Sequence, residues 1–200
     1  AYKLADSYSD HGHDHLGNNR GMEQHAIIGF NYRISELHAA IGKVQTSRVP
    51  EIIRKNNINK KLLTKLLSQT EGISFATICD PAGDSATFLN MLLPDTTTAQ
   101  AVVEEFNNAG VTGFNYWYTN MYHFINQWNH IKNLQTASKL PIEILGKSQD
   151  YNNLHLPKSQ EVIGRLISFG IRCTWKEEEI QALGKKISAC VENVLIKETA

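Results

Sequence analysis

The chain has 200 residues, 42% hydrophobic and 20% charged, with 20 basic residues balanced by 20 acidic ones. That composition supports a real hydrophobic core in one or two domains, and the charge balance leaves no electrostatic footprint for nucleic acid or an acidic membrane surface. No apolar run approaches the ~18 residues of a membrane-spanning helix. Cys79, Cys173 and Cys190 stand far apart without a CxxC pair, which reads as reduced thiols in the cytoplasm rather than a disulfide frame.

In chain order, residues 1–8 read as the end of a helix, and the absence of an initiating Met and of a signal-peptide layout suggests a start inside a larger protein. Residues 9–28 are a polar loop rich in His, Gly, Asn and Asp. A helix is expected over 35–69, N-capped by Ser35 and broken or kinked near Pro50. Leu37, Ile41 and Val44 recur at helical spacing and predict a buried stripe, which resumes as Ile52, Ile53, Ile58, Leu62, Leu63, Leu66 and Leu67. Strands are expected at 73–79, 87–93, 111–118 and 167–173. A helix over 98–109 is capped by Thr97 or Thr98 and closed by Gly110, and a last helix begins behind Thr174 with Glu177, Glu178 and Glu179 in its first turn. Residues 119–160 are aromatic, Asn-rich and poorly periodic, as expected of a functional loop or short helices. The order predicts an α+β fold: a small, mainly antiparallel sheet with helices on one face, preceded by a long helix.

Three groups of residues could carry chemistry. His11, His13 and His15 alternate, with Asp10 and Asp14 among them; three imidazoles could hold a zinc-like ion, although no apolar alternation makes the segment a strand and no supporting scaffold is evident. Asn31 and Arg33 stand just before a helix start, where an amide donor, a guanidinium and free backbone N–H groups can clamp a phosphate or carboxylate. The run from Phe114 through Tyr116, Trp117, Tyr118 and His123 to His130 is dense in amphipathic rings that suit either sugar contact or packing. There is no phosphate loop, dinucleotide fingerprint or Ser–His–Asp layout.

Gly29-Phe30-Asn31-Tyr32-Arg33, followed by Glu36-Leu37-His38-Ala39-Ala40, resembles the G-[YF]-N-x-R…E-L-x-A-A signature of the DegT/DnrJ/EryC1/StrS sugar aminotransferases. Asp10-His11-Gly12 is similar to the family's R-D-H-G element with Ser9 in place of Arg, and Ser168-Phe169-Gly170 with Thr174 to Ile180 is similar to its closing S-L-P…T-x-E-E with Gly170 in place of Pro. The resemblance keeps its order along the whole chain and covers the C-terminal half of such an enzyme. The stretch Asp80 to Leu89, Tyr116-Trp117-Tyr118 and Trp128-Asn129-His130 is similar to the branch that makes 8-amino-3,8-dideoxy-octulosonate.

The resemblance implies the C-terminal part of the aspartate aminotransferase-like fold, with 1–34 as the end of the large cofactor-binding domain and an active-site loop, 35–69 as a connecting helix and 70–200 as the small domain. It implies pyridoxal 5'-phosphate as cofactor, L-glutamate as amino donor and a keto-sugar as acceptor, nucleotide-linked or 8-oxo-Kdo-like, for cell-surface polysaccharide synthesis. Asn31 matches the residue that reaches the cofactor phosphate of the other subunit, which implies a homodimer with shared active sites. Arg33, His123, Tyr116 and Tyr118 are carried over as substrate contacts. No catalytic residue and no metal ligand is assigned: the Schiff-base Lys belongs upstream of residue 1, so this chain by itself is expected to be inactive. Two other readings are a non-catalytic metal- or ligand-binding domain using the His11/His13/His15 loop, and an interaction module derived from an aminotransferase.

Overall fold

The computed structural model describes residues 1–16, 23–25, 27–119, 124–135, 137, 139–147 and 150–199. The chain divides into two compact units, Ala1–Pro50 and Glu51–Ala200.

The first unit holds α1 (Tyr2–Ser9), the polar loop and the opening half of α2 (Glu36–Leu67). Ser35 caps α2 as expected, its Oγ accepting from the His38 N–H at 3.3 Å while the Ala39 N–H bonds its carbonyl at 2.8 Å. The helix is not broken at Pro50, which lies inside it. Proline removes one N–H from the ladder, but the residues around it are exposed, so water can satisfy the carbonyl that is freed. The expected burial of Leu37, Ile41 and Val44 is overturned: they are 70%, 53% and 60% exposed.

In the second unit the expected Leu63 and Leu67 do enter the core, with Leu62 and Leu66 packed against it, but the stripe departs from expectation before them. Asn56, Asn59, Leu63 and Leu67 are buried, whereas Ile58, expected in the core, is 52% exposed. The helix phase is set by Leu63 and Leu67, and one and two turns back along that phase fall Asn59 and Asn56. Asn59 Nδ2 donates to the Arg172 carbonyl at 2.8 Å. The Asn56 Oδ1 has no partner.

The sheet comprises β1 (Ser74–Phe75), β2 (Phe88–Leu92), β3 (Phe114–Tyr116) and β4 (Leu166–Gly170), in the order β1-β2-β4-β3 with every pairing antiparallel. All four strands are shorter than the sequence suggests, β1 most of all. Register aligns Leu89 with Phe169 and Phe114, and Met91 with Ile167 and Tyr116. Those residues pack on Leu63 and Leu67 of α2, Val102 and Phe106 of α3 (Thr96–Ala109), and Ile180, Ile187 and Val191 of α7 (Glu177–Thr199). The Phe106, Phe114 and Phe169 rings meet at centroid distances of 5.3, 5.8 and 6.2 Å, an arrangement that adds to simple area burial. The outer face carries Asn90, Ser168 and Asn115 in one row. Ser168 Oγ accepts from Trp117 Nε1 and donates to Asn90 Oδ1, both at 2.7 Å.

The N-caps of α3 and α7 fall two to three residues away from where the sequence puts them. Asp95, not Thr97 or Thr98, caps α3, its carboxylate accepting from the Thr98 N–H at 2.8 Å; Gly110 closes the helix in the left-handed region at φ 66. Glu179 reaches back to the Lys176 N–H at 2.7 Å, so α7 starts behind Lys176 rather than Thr174. The aperiodic stretch contains a 3₁₀ turn at Ile125–Gln127 and short helices α4 (Asn129–Lys132), α5 (Pro141–Ile144) and α6 (Pro157–Gly164). Among the described residues no helix is long and apolar enough to cross a membrane.

Candidate functional site

Two loops of the first unit lie side by side. The Phe30 N–H bonds the Tyr8 carbonyl at 2.8 Å, the His11 N–H bonds the Phe30 carbonyl at 3.0 Å, and the Tyr32 N–H bonds the Ser9 carbonyl at 2.9 Å. Asp10 and Asn31 thereby form an antiparallel bridge. The contact depends on two glycines. A Cβ at Gly12 would run into the Ile27 carbonyl, and one at Gly29 would run into the Gly12 nitrogen. Gly12 also sits at φ 89, a conformation that excludes most side chains. Tyr8, Phe30 and Tyr32 stack beside this seam at centroid distances of 5.6–6.1 Å.

The seam brings Asp10, Asn31 and Arg33 to one place. Arg33 Nε lies 3.1 Å from Asp10 Oδ1 and 3.3 Å from Asn31 Oδ1, and the Arg33 N–H also reaches Asn31 Oδ1 at 3.3 Å. Asp10 is nearly buried, its side chain 6% exposed, while Arg33 is half-exposed. The carboxylate and the amide oxygen hold the inner edge of the guanidinium. The Asn31 Nδ2 and the terminal nitrogens of Arg33 make no hydrogen bond among the described residues. Those outward donors sit just before the capped start of α2, and together they fit the acceptor oxygens of a phosphate or carboxylate.

Imidazoles ring the same carboxylate. His15 bridges Asp6 at 2.7 Å and Asp10 at 3.0 Å, and hydrogen bonding to Asp6 first and Asp10 second raises its pKa above the ordinary 6.5. His11 Nδ1 is 3.2 Å from Asp10 Oδ1, His13 Nδ1 is 3.0 Å from Glu23 Oε2, and the His13 and His25 rings are 4.3 Å apart. Sequence reasoning missed Asp10 as the hub of this group; its place in the Asp-His-Gly element beside three histidines was the available signal.

The remaining expected contacts belong to the second unit. Tyr116 lies in the core of the second unit, 7% exposed, and its hydroxyl donates to the Gly164 carbonyl at 2.6 Å. Burial first, and then Tyr118, push that phenol up to about 12. Tyr118 is half-buried, 6.0 Å from the Tyr116 ring and stacked on Phe124 at 6.1 Å. His123 lies outside the described residues. Lys60, with a side chain only 13% exposed, is committed to Asp84 at 2.6 Å.

The fold is shared with several solved structures. Helicobacter pylori PseC, an aminotransferase involved in the biosynthesis of pseudoaminic acid, matches with a TM-score of 0.67 at 15% identity over 94% of this chain and 45% of its own. An aminotransferase from Psychrobacter cryohalolentis matches with a TM-score of 0.71 at 16% identity over 96% and 49%. AtS13 from Actinomadura melliaura matches with a TM-score of 0.65 at 18% identity over 94% and 44%. This chain therefore spans about half the length of the solved structures it resembles. A small antiparallel sheet under a helical layer, preceded by a long helix, is part of the pyridoxal-phosphate-dependent aminotransferase fold. The chain belongs to the DegT/DnrJ/EryC1/StrS aminotransferase family, whose model matches residues 1–188.

Proposed function

We propose that this chain is the C-terminal part of a pyridoxal-phosphate-dependent sugar aminotransferase that transfers an amino group from L-glutamate to a keto-sugar. The acceptor is nucleotide-linked or 8-oxo-Kdo-like, the product serves cell-surface polysaccharide, and the enzyme works in the cytoplasm as a homodimer. In this reading 1–34 close the cofactor-binding domain, 35–69 connect, and 70–200 form the small domain. The observation that carries it is the meeting of two family motifs, the Asp-His-Gly loop and the Gly-Phe-Asn-Tyr-Arg segment, at one donor-rich corner.

The residues present fit the phosphate end of the cofactor. Asn31 would donate its amide N–H to a phosphate oxygen across the subunit boundary. Arg33, oriented by Asp10 and Asn31, would supply a fixed positive charge to the same anion or to a substrate carboxylate. Tyr118 would offer a ring face to the sugar, with the buried Tyr116 supporting it, and His123 is retained as a sugar contact. When bound, the cofactor supplies the electron sink that amino transfer needs. The resemblance puts the anchoring Lys in the large domain, before the Gly-Phe-Asn-Tyr-Arg segment, and the half-buried Lys60 is already paired with Asp84. The exposed stripe of Leu37, Ile41 and Val44 supports an assembled state, since monomers rarely leave large contiguous apolar patches in water.

The test is cofactor retention by the full-length protein, followed by visible absorbance during dialysis. Asn31→Ala is expected to release cofactor faster than wild type, and the freed cofactor should be recovered intact. Equal retention would remove Asn31 from the phosphate site. Failure of L-glutamate to change the absorbance of the loaded wild-type protein would remove the aminotransferase reading itself.

A further inference from the structure

The cluster around Asp10 has a feature that the phosphate-clamp reading leaves unused. Ligand atoms of Asp10, His11 and His13 all lie within 4.8 Å of one another. We propose that Asp10, His11 and His13 form a binding site for a divalent transition-metal cation of the zinc class, with the fourth position open.

The donor set suits that ion. Two neutral imidazoles and a carboxylate are the ligand types of open three-residue zinc sites, where a fourth position is left for water or another group. A tetrahedral zinc holds its ligand atoms about 3.3–3.5 Å apart, so a contraction on the order of 1 Å would complete the geometry. His11 is half-exposed and can supply that movement by a rotamer change.

The supporting shell is present. Glu23 Oε2 is paired with His13 Nδ1 at 3.0 Å, with side chains 10% and 13% exposed, the carboxylate–imidazole contact that fixes ring orientation in metal sites. Asp10 is held by Arg33 at 3.1 Å and by His15 at 3.0 Å, and His15 is held in turn by Asp6 at 2.7 Å. Ligating carboxylates in metal sites are fixed by such outer hydrogen bonds. Asp6, Asp10 and Glu23 pair with His15, Arg33 and His13 respectively, so carboxylates surround this cluster and favour a cation.

The inference is independent of the aminotransferase reading. The full chain, stripped with a chelator, is titrated with Zn²⁺ alone and with Co²⁺ alone. The expected result is one equivalent of cobalt with the intense visible bands of four-coordinate Co²⁺. His11→Gln and His13→Gln should each weaken binding by more than the ~10–100-fold that loss of an outer-shell partner costs. His38→Gln, at a histidine that instead contacts Ser35, should leave binding unchanged. Because a variant could misfold, the wild-type chain is also treated with diethylpyrocarbonate. Zn²⁺ should protect His11 and His13 and leave His38 reactive. No cobalt uptake, uptake unaffected by both His variants, or no zinc protection of His11 and His13 would each overturn the site.

Discussion

Asn56 and Asn59 offer a controlled comparison, because the same substitution at neighbouring sites should give different outcomes. Both sit inside α2, and their exposures are 5% and 8%. Asn59 Nδ2 donates to the Arg172 carbonyl at 2.8 Å, whereas the Asn56 Oδ1 has no partner. Replacing either by Ala removes the same side-chain atoms and gains the same helix propensity, roughly 0.5 kcal/mol, so those contributions cancel in the difference. What remains is the net worth of one hydrogen bond, about 1 kcal/mol, on the Asn59 side, and the relief of an unsatisfied oxygen, about 1–3 kcal/mol, on the Asn56 side. Asn59→Ala should therefore be about 2–4 kcal/mol less stable than Asn56→Ala, and Asn56→Ala should equal or exceed wild type. For a unit of this size that is a Tm gap of ~2–4 °C per kcal/mol, within reach of thermal denaturation followed by circular dichroism and checked by urea midpoints. Equal destabilisation of the two variants, or a larger loss for Asn56→Ala, would show that packing rather than hydrogen bonding decides the inward face of α2.

Three other outcomes follow from the second unit. Asp84 is held below its ordinary 3.8, first by the Lys60 ammonium and then by the Ala86 N–H, so its stabilising contribution is complete above 3.8 and is lost as pH falls through the folded value; the stability difference between wild type and Asp84→Asn should shrink on that acid limb. Tyr116 has its phenol raised to about 12, so its contribution is complete below the ordinary 10.0 and disappears as pH rises toward 12. Tyr116→Phe should lack that alkaline slope and lose about 1–3 kcal/mol at neutral pH, because the buried Gly164 carbonyl loses its donor; denaturant midpoints across pH test both. Phe169→Ala, at a fully buried ring within the aromatic trio, should cost ~3–5 kcal/mol in urea denaturation.

What could be read from the sequence follows the range of the interactions involved. The α3 helix, its Gly110 stop, the Ser35 cap and the antiparallel sheet are local signals of period, turn chemistry and capping, and they are present with small shifts at their ends. The inward face of α2 was legible at Leu62, Leu63, Leu66 and Leu67 but not before them, because hydrophobicity favours Ile58 while Leu63 and Leu67 fix a phase that buries Asn56 and Asn59. Leu37, Ile41 and Val44 carry a genuine apolar period, but a period names a face without naming what covers it. The short helices after residue 124 are too brief to show any period. At the candidate site Asn31 and Arg33 were visible as polar groups before a capped helix; Asp10 became their hub only through backbone pairing between segments distant in sequence.

The glycine seam sets how this corner can change over generations. Gly12 and Gly29 press backbone on backbone, so each strip of chain is the mould for the other, and neither can accept a side chain until its counterpart retreats. Inserting one residue on either side of the seam would carry Asp10 out of register with Asn31. The pairing continues beyond the glycines, where His13 and His25 form a second antiparallel bridge and the Asp14 N–H bonds the Gln24 carbonyl at 3.0 Å. Drift in length is therefore forbidden within the motifs and at this second pair, and the cost of lengthening the connection inside it is small, about 0.6 kcal/mol of closure entropy for a doubling.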